Sequence, residues 1–340
     1  MTYDSMYHAC IGGHLEVAQW LAQQFQLIAG DINPRGLTFR CVCRNGHLAV
    51  AQWMADVCQI MAGEVLEYES TAFRRACDSG HLDVAKWLAE KYRLTADDFR
   101  LRSNETLLTA CIKGRLDIVQ WLSTYFELTR EDLLFDCAAC IYFACRNGHL
   151  DVLEWVSDYY DITRDIVRPD DLKKWFKSSV KHVSVAKFLA ARFGLTKEEA
   201  CMSGAVREAT TPHCGTPERV WEFLRWFAGY YRTTLKEMCP DGNTMLYHAC
   251  RNDDLPLLEW LVGRFGVGAD AMRDNDCFML GTAYKHGSIN VMSWAVGNME
   301  LTAEDVREAA RREVRHTDEF RRFIAVTRML DKKFGEYCYQ

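Results

Sequence analysis

The chain has 340 residues, and 49% of them are apolar, enough to bury a long continuous core. Its 41 Lys and Arg against 47 Asp and Glu give a net charge of −6. This charge argues against a general binder of nucleic acid or membrane surfaces, because both need a basic face. No stretch approaches about 18 uncharged apolar residues, so no membrane span is predicted. The start, Met1 to Asp4, has neither a basic region nor an apolar run, so no signal peptide is expected.

An aromatic residue recurs along the chain at a nearly constant spacing. The spacing is 33 or 34 residues, with one longer interval of 38 residues. The positions are Trp20, Trp53, Trp87, Trp121, Trp155, Phe188, Trp226, Trp260 and Trp294. A fixed period of this length marks a solenoid, so residues 1–302 are predicted to form one elongated domain of nine repeats.

Each repeat is predicted to contain two helices joined by a Gly-His-Leu turn. The first helix ends at a glycine, which adopts the left-handed conformation without a Cβ penalty. These glycines are Gly13, Gly46, Gly80, Gly114 and Gly148. The second helix carries an apolar stripe that one repeat cannot cover alone, as in Val17, Ala18, Leu21 and Phe25 with Trp20 beside them. Stacked repeats are therefore expected to share a core through their tryptophans.

A Leu-Thr pair followed by acidic residues comes after the second helix in several repeats. The threonines are Thr95, Thr129, Thr196 and Thr302. A threonine hydroxyl accepts hydrogen bonds from the free N–H groups of a helix start, and acids suit the positive end of the helix dipole. We predict a short third helix at these places and a tight β-turn only at residues 240–243. The fold class is therefore all-α.

Several repeats depart from the pattern. The first begins almost at Met1 with no polar helix before it, which predicts a frayed first helix, a contact with another chain, or a divergent cap. The fourth has Arg115 in place of the turn histidine, and the sixth is degenerate at residues 181–183. The seventh carries an insertion at 210–218, after which Pro217 is predicted to begin a helix capped by Thr216. Residues 303–340 are predicted to form a polar, amphipathic C-terminal helical cap.

The eighth repeat decides between two repeat families with this period, the tetratricopeptide and the ankyrin repeat. Residues 241–250 read Asp-Gly-Asn-Thr-Met-Leu-Tyr-His-Ala-Cys, which resembles the ankyrin opening T-P-L-H-x-A preceded by its turn. The chain thus resembles an ankyrin-repeat protein over about nine-tenths of its length. The resemblance implies an ankyrin-like solenoid in which short helices replace most β-hairpin fingers. In repeat style it is also similar to the ankyrin-like arrays encoded by large DNA viruses of amoebae.

Cysteine and histidine recur at fixed repeat positions. Cys10, Cys43, Cys77, Cys111, Cys145 and Cys250 share one position, where a small thiol packs like alanine. An odd total of fifteen cysteines without an export signal indicates a reduced, cytoplasmic protein. The histidine column comprises His14, His47, His81, His149 and His182. Helices about 8–10 Å apart do not bring these residues to one metal, so we expect them to tie down the inter-helix turns.

Two other clusters raise the question of a metal site. Cys137, Cys140 and Cys145 resemble half a zinc site but lack a second pair at the required spacing, and helical packing explains them better. His213 and Cys214, with Cys201 upstream, are the other candidate. We assign neither as a metal site, and no cofactor is predicted. The sequence has no phosphate-binding loop, nucleophile elbow or kinase motif, so we do not expect an enzyme.

The remaining functional surface is the inner face, which the resemblance assigns to the first helices. Arg and Tyr, which dominate interface hot spots, are frequent among its residues. The predicted partner-binding residues are Tyr7, Arg40, Arg44, Asn45, Arg74, Arg75, Asp78, Lys113, Tyr142, Arg146, Asn147, Tyr247, His248, Arg251 and Asn252. A positive strip in an acidic protein favours an acidic or extended protein segment as ligand. The alternative, that these are merely solvated helix positions, stays open.

The predicted function is a non-enzymatic protein–protein interaction scaffold, plausibly a viral protein that targets a host protein in the cytoplasm. A structural component of a virion or other assembly is the first alternative. A substrate adaptor for ubiquitin ligation is the second, although residues 303–340 show no F-box-like pattern. The sequence favours no particular partner and no particular oligomeric state, and it predicts neither nucleic-acid nor membrane binding.

Overall fold

A computed structural model describes residues 2–66, 72–100, 105–134, 137–210, 217–238 and 244–314. These residues form α-helices and two short 3-10 helices, and no strand occurs among them. Many of the helices pack in pairs, as in an ankyrin-like helical solenoid. The all-α prediction, with helices in place of most β-hairpins, is therefore confirmed.

The chain divides into two compact units, and each is described by itself. Unit 1 comprises residues up to 179 together with 187–193, and unit 2 comprises residues 180–186 together with those from 194 onward. The helices of unit 1 are α1 (Thr2–Ile11), α2 (Leu15–Gln24), α3 (Ala29–Ile32), α4 (Leu37–Arg44), α5 (Leu48–Val57), α6 (Ala62–Leu66), α7 (Ala72–Ser79), α8 (Leu82–Lys91), α9 (Ala96–Arg100), α10 (Glu105–Lys113), α11 (Leu116–Tyr125), α12 (Arg130–Leu134), α13 (Cys137–Asn147), α14 (Leu150–Tyr159) and α15 (Pro169–Ser178).

Helix α16 (Val183–Arg192) contributes residues to both units. The remaining helices, all in unit 2, are α17 (Lys197–Met202), α18 (Ala205–Ala209), α19 (Pro217–Tyr230), α20 (Leu235–Met238), α21 (Thr244–Asn252), α22 (Leu255–Phe265), α23 (Ala269–His286), α24 (Ile289–Asn298) and α25 (Ala303–Val314). The two 3-10 helices are Pro34–Gly36 and Ser179–Lys181. The nine-repeat boundaries and the division at residue 302 stay predictions.

The core of unit 1 lies between the helices of each pair and between neighbouring repeats. First helices pack on each other, as α4 does on α7 and α10 on α13, more closely than second helices do. On the second helices, the residue two positions before the tryptophan and the residue directly after it are buried, as Ala85 and Leu88 are around Trp87. Small residues such as Ala85 let neighbouring helices approach, while leucine fills the space between them.

The tryptophan column contributes to this core only in part: the expectation that the repeats share a core through their tryptophans fails at Trp20, whereas the other aromatic residues of the column are half-buried. Trp20 is 57% exposed, and Trp87 and Trp121 are only half-buried. Trp87 and Trp121 each contact the phenylalanine on the first helix of the preceding repeat. The ring centroids of Phe39 and Trp87 are 6.5 Å apart, and those of Phe73 and Trp121 are 6.1 Å apart. Trp87 and Trp121 therefore cover the edge of the interface between two repeats, with part of each ring still exposed.

The short third helices begin with reciprocal caps, as predicted. Thr95 donates its backbone N–H to Asp98 Oδ2 at 2.9 Å, and Asp98 N donates to Thr95 Oγ1 at 3.3 Å. The same pattern joins Thr129 to Asp132, Thr196 to Glu199, and Thr302 to Asp305. A further pair, Thr234 and Glu237 at the start of α20, has the same contacts, although the sequence analysis did not single it out.

Because of these caps, the stability of the fold should depend on pH in the acid range. Hydrogen bonds from Thr95 hold the pKa of Asp98 below its usual range, and hydrogen bonds from Arg273 do the same for Asp305. For Glu237, hydrogen bonds from Lys197 and then Thr234 lower the pKa to about 2. A lowered folded-state pKa stabilises the protein above the ordinary carboxyl pKa of about 4, and this contribution is lost as pH falls through the folded-state value. We therefore expect the Tm, followed by circular dichroism, to be flat above about pH 5 and to fall below about pH 4.

The control is the triple variant Asp98→Asn/Glu237→Gln/Asp305→Asn, which cannot titrate at these caps. Its Tm should be lower than that of the wild type at neutral pH, and the Tm of the variant should fall by less than that of the wild type when the pH is lowered. An equally steep acid decline in the variant would show that other carboxyls dominate.

Some sequence predictions lie outside the described residues. They are the β-turn at 240–243, most of the insertion at 211–216 with its Thr216 cap, and residues 315–340 of the C-terminal cap. Helix α19 begins at Pro217 as predicted, and α25 is the described part of the cap. In the ninth repeat, the linker and the first helix are fused into the single helix α23 of 18 residues.

Candidate functional site

The predicted partner-binding residues lie on the first helices of their repeats, except Asn45, which directly follows α4. In unit 1 these helices are α1, α4, α7, α10 and α13, and in unit 2 the helix is α21. The repeat cysteine on each is buried, as Cys43, Cys145 and Cys250 illustrate. Because the cysteine faces the core, the residue after it turns to solvent, and Arg44 and Arg146 are accordingly exposed. Unit 1 thus aligns equivalent side chains of neighbouring repeats along one side, which we call the first-helix side.

Burial also fixes the chemistry of these cysteines. It raises the pKa of the Cys10 thiol, and that of Cys250, to about 12, so both stay protonated near neutral pH. They therefore pack as small apolar groups rather than act as thiolate ligands or nucleophiles.

Side chains of one repeat complete the turn of the repeat before it. Asn45 Nδ2 donates to the carbonyl oxygen of Ile11 at 2.9 Å, and His47 Nε2 lies 2.8 Å from the same oxygen. Because a carbonyl only accepts, this contact needs the proton on Nε2. We call this set of contacts from one repeat to the preceding turn the turn relay.

The turn relay recurs further along unit 1. Asn147 Nδ2 and His149 Nε2 bond the carbonyl oxygen of Ile112 at 2.7 and 2.9 Å. Where arginine replaces the histidine, Arg115 Nη2 donates to Ser79 at 3.4 Å, and Lys113 Nζ donates to the Asp78 carbonyl at 2.7 Å. These carbonyls end first helices and have no intrahelical partner, so the relay acts as a C-terminal cap. The prediction that histidine ties down a turn is confirmed for His47 and His149, but the turn is that of the preceding repeat.

The glycine of each turn is needed to seat the relay. Gly46 has φ +80°, and a Cβ placed on it would lie 2.3 Å from His81 Nδ1. The histidine ring therefore lies flat against backbone that only glycine leaves free.

An acid–base cluster neutralises part of the first-helix side in the third and fourth repeats. Arg74 pairs with Glu105 and lies 3.7 Å from Asp78. Burial raises the pKa of Asp78 even though Arg74, Lys113 and Arg75 oppose the shift. Its Oδ1 atom is buried and finds no hydrogen-bond donor among the described residues. These charges mainly satisfy one another, so Arg74 is less available to a ligand than its position suggested.

The available cations lie outside that cluster. Arg44, Arg146 and Arg251 are exposed and form no ion pair with any residue that the structure describes. Arg40 is half-buried and donates to the carbonyl of Arg35 at 3.3 Å. Among the described first helices of unit 1, two arginines, Arg44 and Arg146, are exposed without an ion pair, and the exposed Lys113 lies in a repeat between them.

Aromatic residues of the predicted site are partly engaged by neighbouring side chains. The hydroxyl of Tyr7 lies 3.7 Å from Cys41 Sγ, and the Tyr142 ring meets Phe143 edge-on at 5.2 Å. In unit 2, Tyr247 stacks on Phe278 with centroids 6.0 Å apart. Beside it, burial and then the charge of Arg251 lower the pKa of His248, so this histidine is neutral near neutral pH.

Within the described ranges, no group of three or more His, Cys, Asp and Glu side chains could hold a metal ion. His213 and Cys214 lie outside these ranges. In the same part of the chain, no helix is long and apolar enough to cross a membrane.

Comparison with known proteins gives one finding. Residues 241–271, which span the eighth repeat, match the ankyrin-repeat family model. Comparison with curated proteins finds no match to the chain. Ankyrin repeats are in general protein–protein interaction modules, and the family is non-enzymatic. The match at 241–271 and the helical repeat pairs therefore support an ankyrin-repeat protein.

Proposed function

We propose that this chain is a non-enzymatic scaffold that binds an acidic, extended protein segment along the first-helix side of unit 1. The observation that carries the proposal is the pair of exposed arginines without an ion pair, Arg44 and Arg146, at the same repeat position. A guanidinium group binds a carboxylate through two parallel hydrogen bonds, which makes a carboxylate-bearing partner the best match.

The spacing of these arginines suggests the form of the ligand. They lie three repeats apart, and stacked helices lie about 8–10 Å apart, so the span is roughly 24–30 Å. An extended chain rises about 3.3 Å per residue, so roughly eight residues would reach from one arginine to the other.

Not every predicted residue carries equal weight. Asn45, Asn147 and Lys113 also hold the turn relay, so their substitution would disturb folding as well as binding. Arg74 and Asp78 are engaged in the acid–base cluster. Tyr7, Arg40, Arg75 and Tyr142 remain proposed contacts beside the two open arginines. In unit 2, Tyr247, His248, Arg251 and Asn252 are proposed as a separate contact of the same kind.

Anisotropy titration of a labelled peptide of alternating Glu and Ser, about ten residues long, tests this proposal. The full chain should bind it, and the Arg44→Glu/Arg146→Glu variant should raise the Kd by about 30-fold, the typical loss for an interface hot spot. The matched control is Lys86→Glu/Lys187→Glu, which makes the same charge change at exposed positions on second helices. Control binding should stay near the wild-type value. Equal binding by both variants, or no binding by the wild type, would exclude the proposed surface.

The narrower resemblance supports a proposal about the source of the partner. Similarity in repeat style to arrays of amoebal DNA viruses leads us to propose a host protein in the cytoplasm as the partner. Capture from host lysate with the wild type and the Arg44→Glu/Arg146→Glu variant would test this, and partners retained by both would not support it.

A second candidate is a structural role in a particle or assembly. An apolar group on the first repeat supports it, because Val17, Phe25 and Ile28 are between 50% and 69% exposed, as is Trp20. A contact to another protein would bury this surface. Mass spectrometry of purified particles should then detect the chain at stoichiometric levels, and its absence would exclude this role.

A further inference from the structure

The second helices of the fourth and fifth repeats carry a surface that the proposed function does not use. Along α11, Asp117, Trp121 and Tyr125 follow one another at four-residue spacing, and along α14 Asp151, Trp155 and Tyr159 do the same. Residues four apart share a helix face, so each trio forms one stripe. The two helices pack against each other in unit 1. We call the two stripes, together with Glu154, the aromatic–acidic surface.

Each stripe presents a paired aromatic platform to solvent. Trp155 and Tyr159 stack with centroids 4.5 Å apart and planes 18° apart. Trp121 and Tyr125 lie 5.3 Å apart with a tilt of 36°. The tyrosines are 39% and 45% exposed, and their indole partners are half-buried. Rings fixed in this way lose little conformational freedom on binding.

The charge of this surface has one sign. Helices α11 and α14 contain four acidic residues and neither lysine nor arginine. Asp158 is paired with Arg192 at 3.0 Å. The other three, Asp117, Asp151 and Glu154, are exposed and form no ion pair among the described residues. The second helices on either side differ, since α8 carries Lys86 and Lys91, and α16 carries Lys187 and Arg192.

A neighbouring repeat shows what such a platform accepts. In α8, Lys91 takes the position of Tyr125 and Tyr159, and its Nζ lies 5.7 Å from the centroid of the Trp87 ring. A cation from the same helix thus lies over the indole there, and its ammonium group also pairs with Asp56 at 2.5 Å. In α11 and α14 the position is a tyrosine, so the ring surface is larger and neither helix supplies a cation.

We propose that the aromatic–acidic surface binds an arginine-rich, extended peptide segment. A guanidinium group can stack on an aromatic face and bond a carboxylate in its plane at the same time. Each stripe places a carboxylate and an aromatic ring about one helical turn apart, and the second stripe repeats this arrangement on the next second helix. Charge complementarity selects a basic partner, in contrast to the acidic one proposed for the first-helix side.

Fluorescence anisotropy with a labelled peptide of alternating Arg and Gly, about ten residues long, tests this inference on the full chain. We expect binding that weakens with salt, and a Kd about tenfold higher for Tyr125→Ser/Tyr159→Ser. Replacing Arg by Lys in the peptide should also weaken binding, because an ammonium group is more strongly hydrated and cannot stack. Asp151→Asn/Glu154→Gln should lower the affinity and reduce its salt dependence.

Two controls separate this surface from the others. Tyr230→Ser removes a tyrosine that is more exposed, at 54%, and that lies 5.4 Å from Trp226 on helix α19, which has mixed charge; this change should leave binding unchanged. The Arg44→Glu/Arg146→Glu variant should bind the arginine peptide with the wild-type Kd, because it alters only the first-helix side. Full affinity in Tyr125→Ser/Tyr159→Ser with unchanged circular dichroism would overturn the inference. So would equal binding of the lysine peptide, or no binding by the wild type.

Discussion

Leu122→Ala should lower the free energy of unfolding of unit 1 by about 3–4 kcal/mol, the usual cost of removing a fully buried leucine side chain. Leu122 is 0% exposed on α11, where its neighbours in the stack are closely packed. The cost combines lost apolar burial with the cavity that the surrounding helices cannot fill. Urea unfolding followed by circular dichroism, with hydrogen exchange on the α11 amides, measures it.

The matched comparison is a larger side chain that is more exposed. Trp20→Ala removes more atoms, but Trp20 is 57% exposed, so the loss should be about 0.5 kcal/mol or less. If Trp20→Ala destabilised the chain as much as Leu122→Ala, the exposed indole of Trp20 would contribute to the core after all.

Gly114→Ala should destabilise unit 1 by about 2–3 kcal/mol. Gly114 has φ +67°, which costs about 1 kcal/mol or more with a Cβ. The new Cβ would lie 2.3 Å from His149 Nδ1, so the ring must move and give up its bond to the Ile112 carbonyl. That lost hydrogen bond adds about 1 kcal/mol. Chemical denaturation measures the sum.

Another glycine isolates the two contributions. Gly266 has the same φ of +67°, but a Cβ there would meet nothing within 4 Å, so Gly266→Ala should show only the backbone cost. In a His149→Ala background, Gly114→Ala should likewise fall to about 1 kcal/mol. Equal losses for Gly114→Ala and Gly266→Ala in the wild type would mean that the turn relay contributes nothing.

The features that could be predicted from sequence are local. The glycine turn and the threonine caps involve residues within one helical turn of each other. The sequence spacing of Thr129 and Asp132 is therefore enough to predict the contact between them. The repeat period then extends each local unit along the chain, which is why the all-α fold could be anticipated before any coordinates.

The features that could not be predicted depend on the neighbouring repeat. Whether an indole is buried depends on how closely successive second helices approach each other. The sequence spacing of Trp87 and Trp121 does not give that distance. The double role of Asn45 and Asn147 was missed because their carbonyl partners lie 34 and 35 residues earlier. The site prediction therefore placed these residues on the first helices but did not separate open cations such as Arg44 from side chains already engaged in the fold.

The turn relay also has a consequence for synthesis of the chain. His47 bonds a carbonyl 36 residues upstream, and His149 bonds one 37 residues upstream. On the ribosome, the last turn of a helix such as α1 stays incomplete until the following repeat has emerged. During synthesis, each helix end that the turn relay caps is therefore completed one repeat later than the rest of its helix.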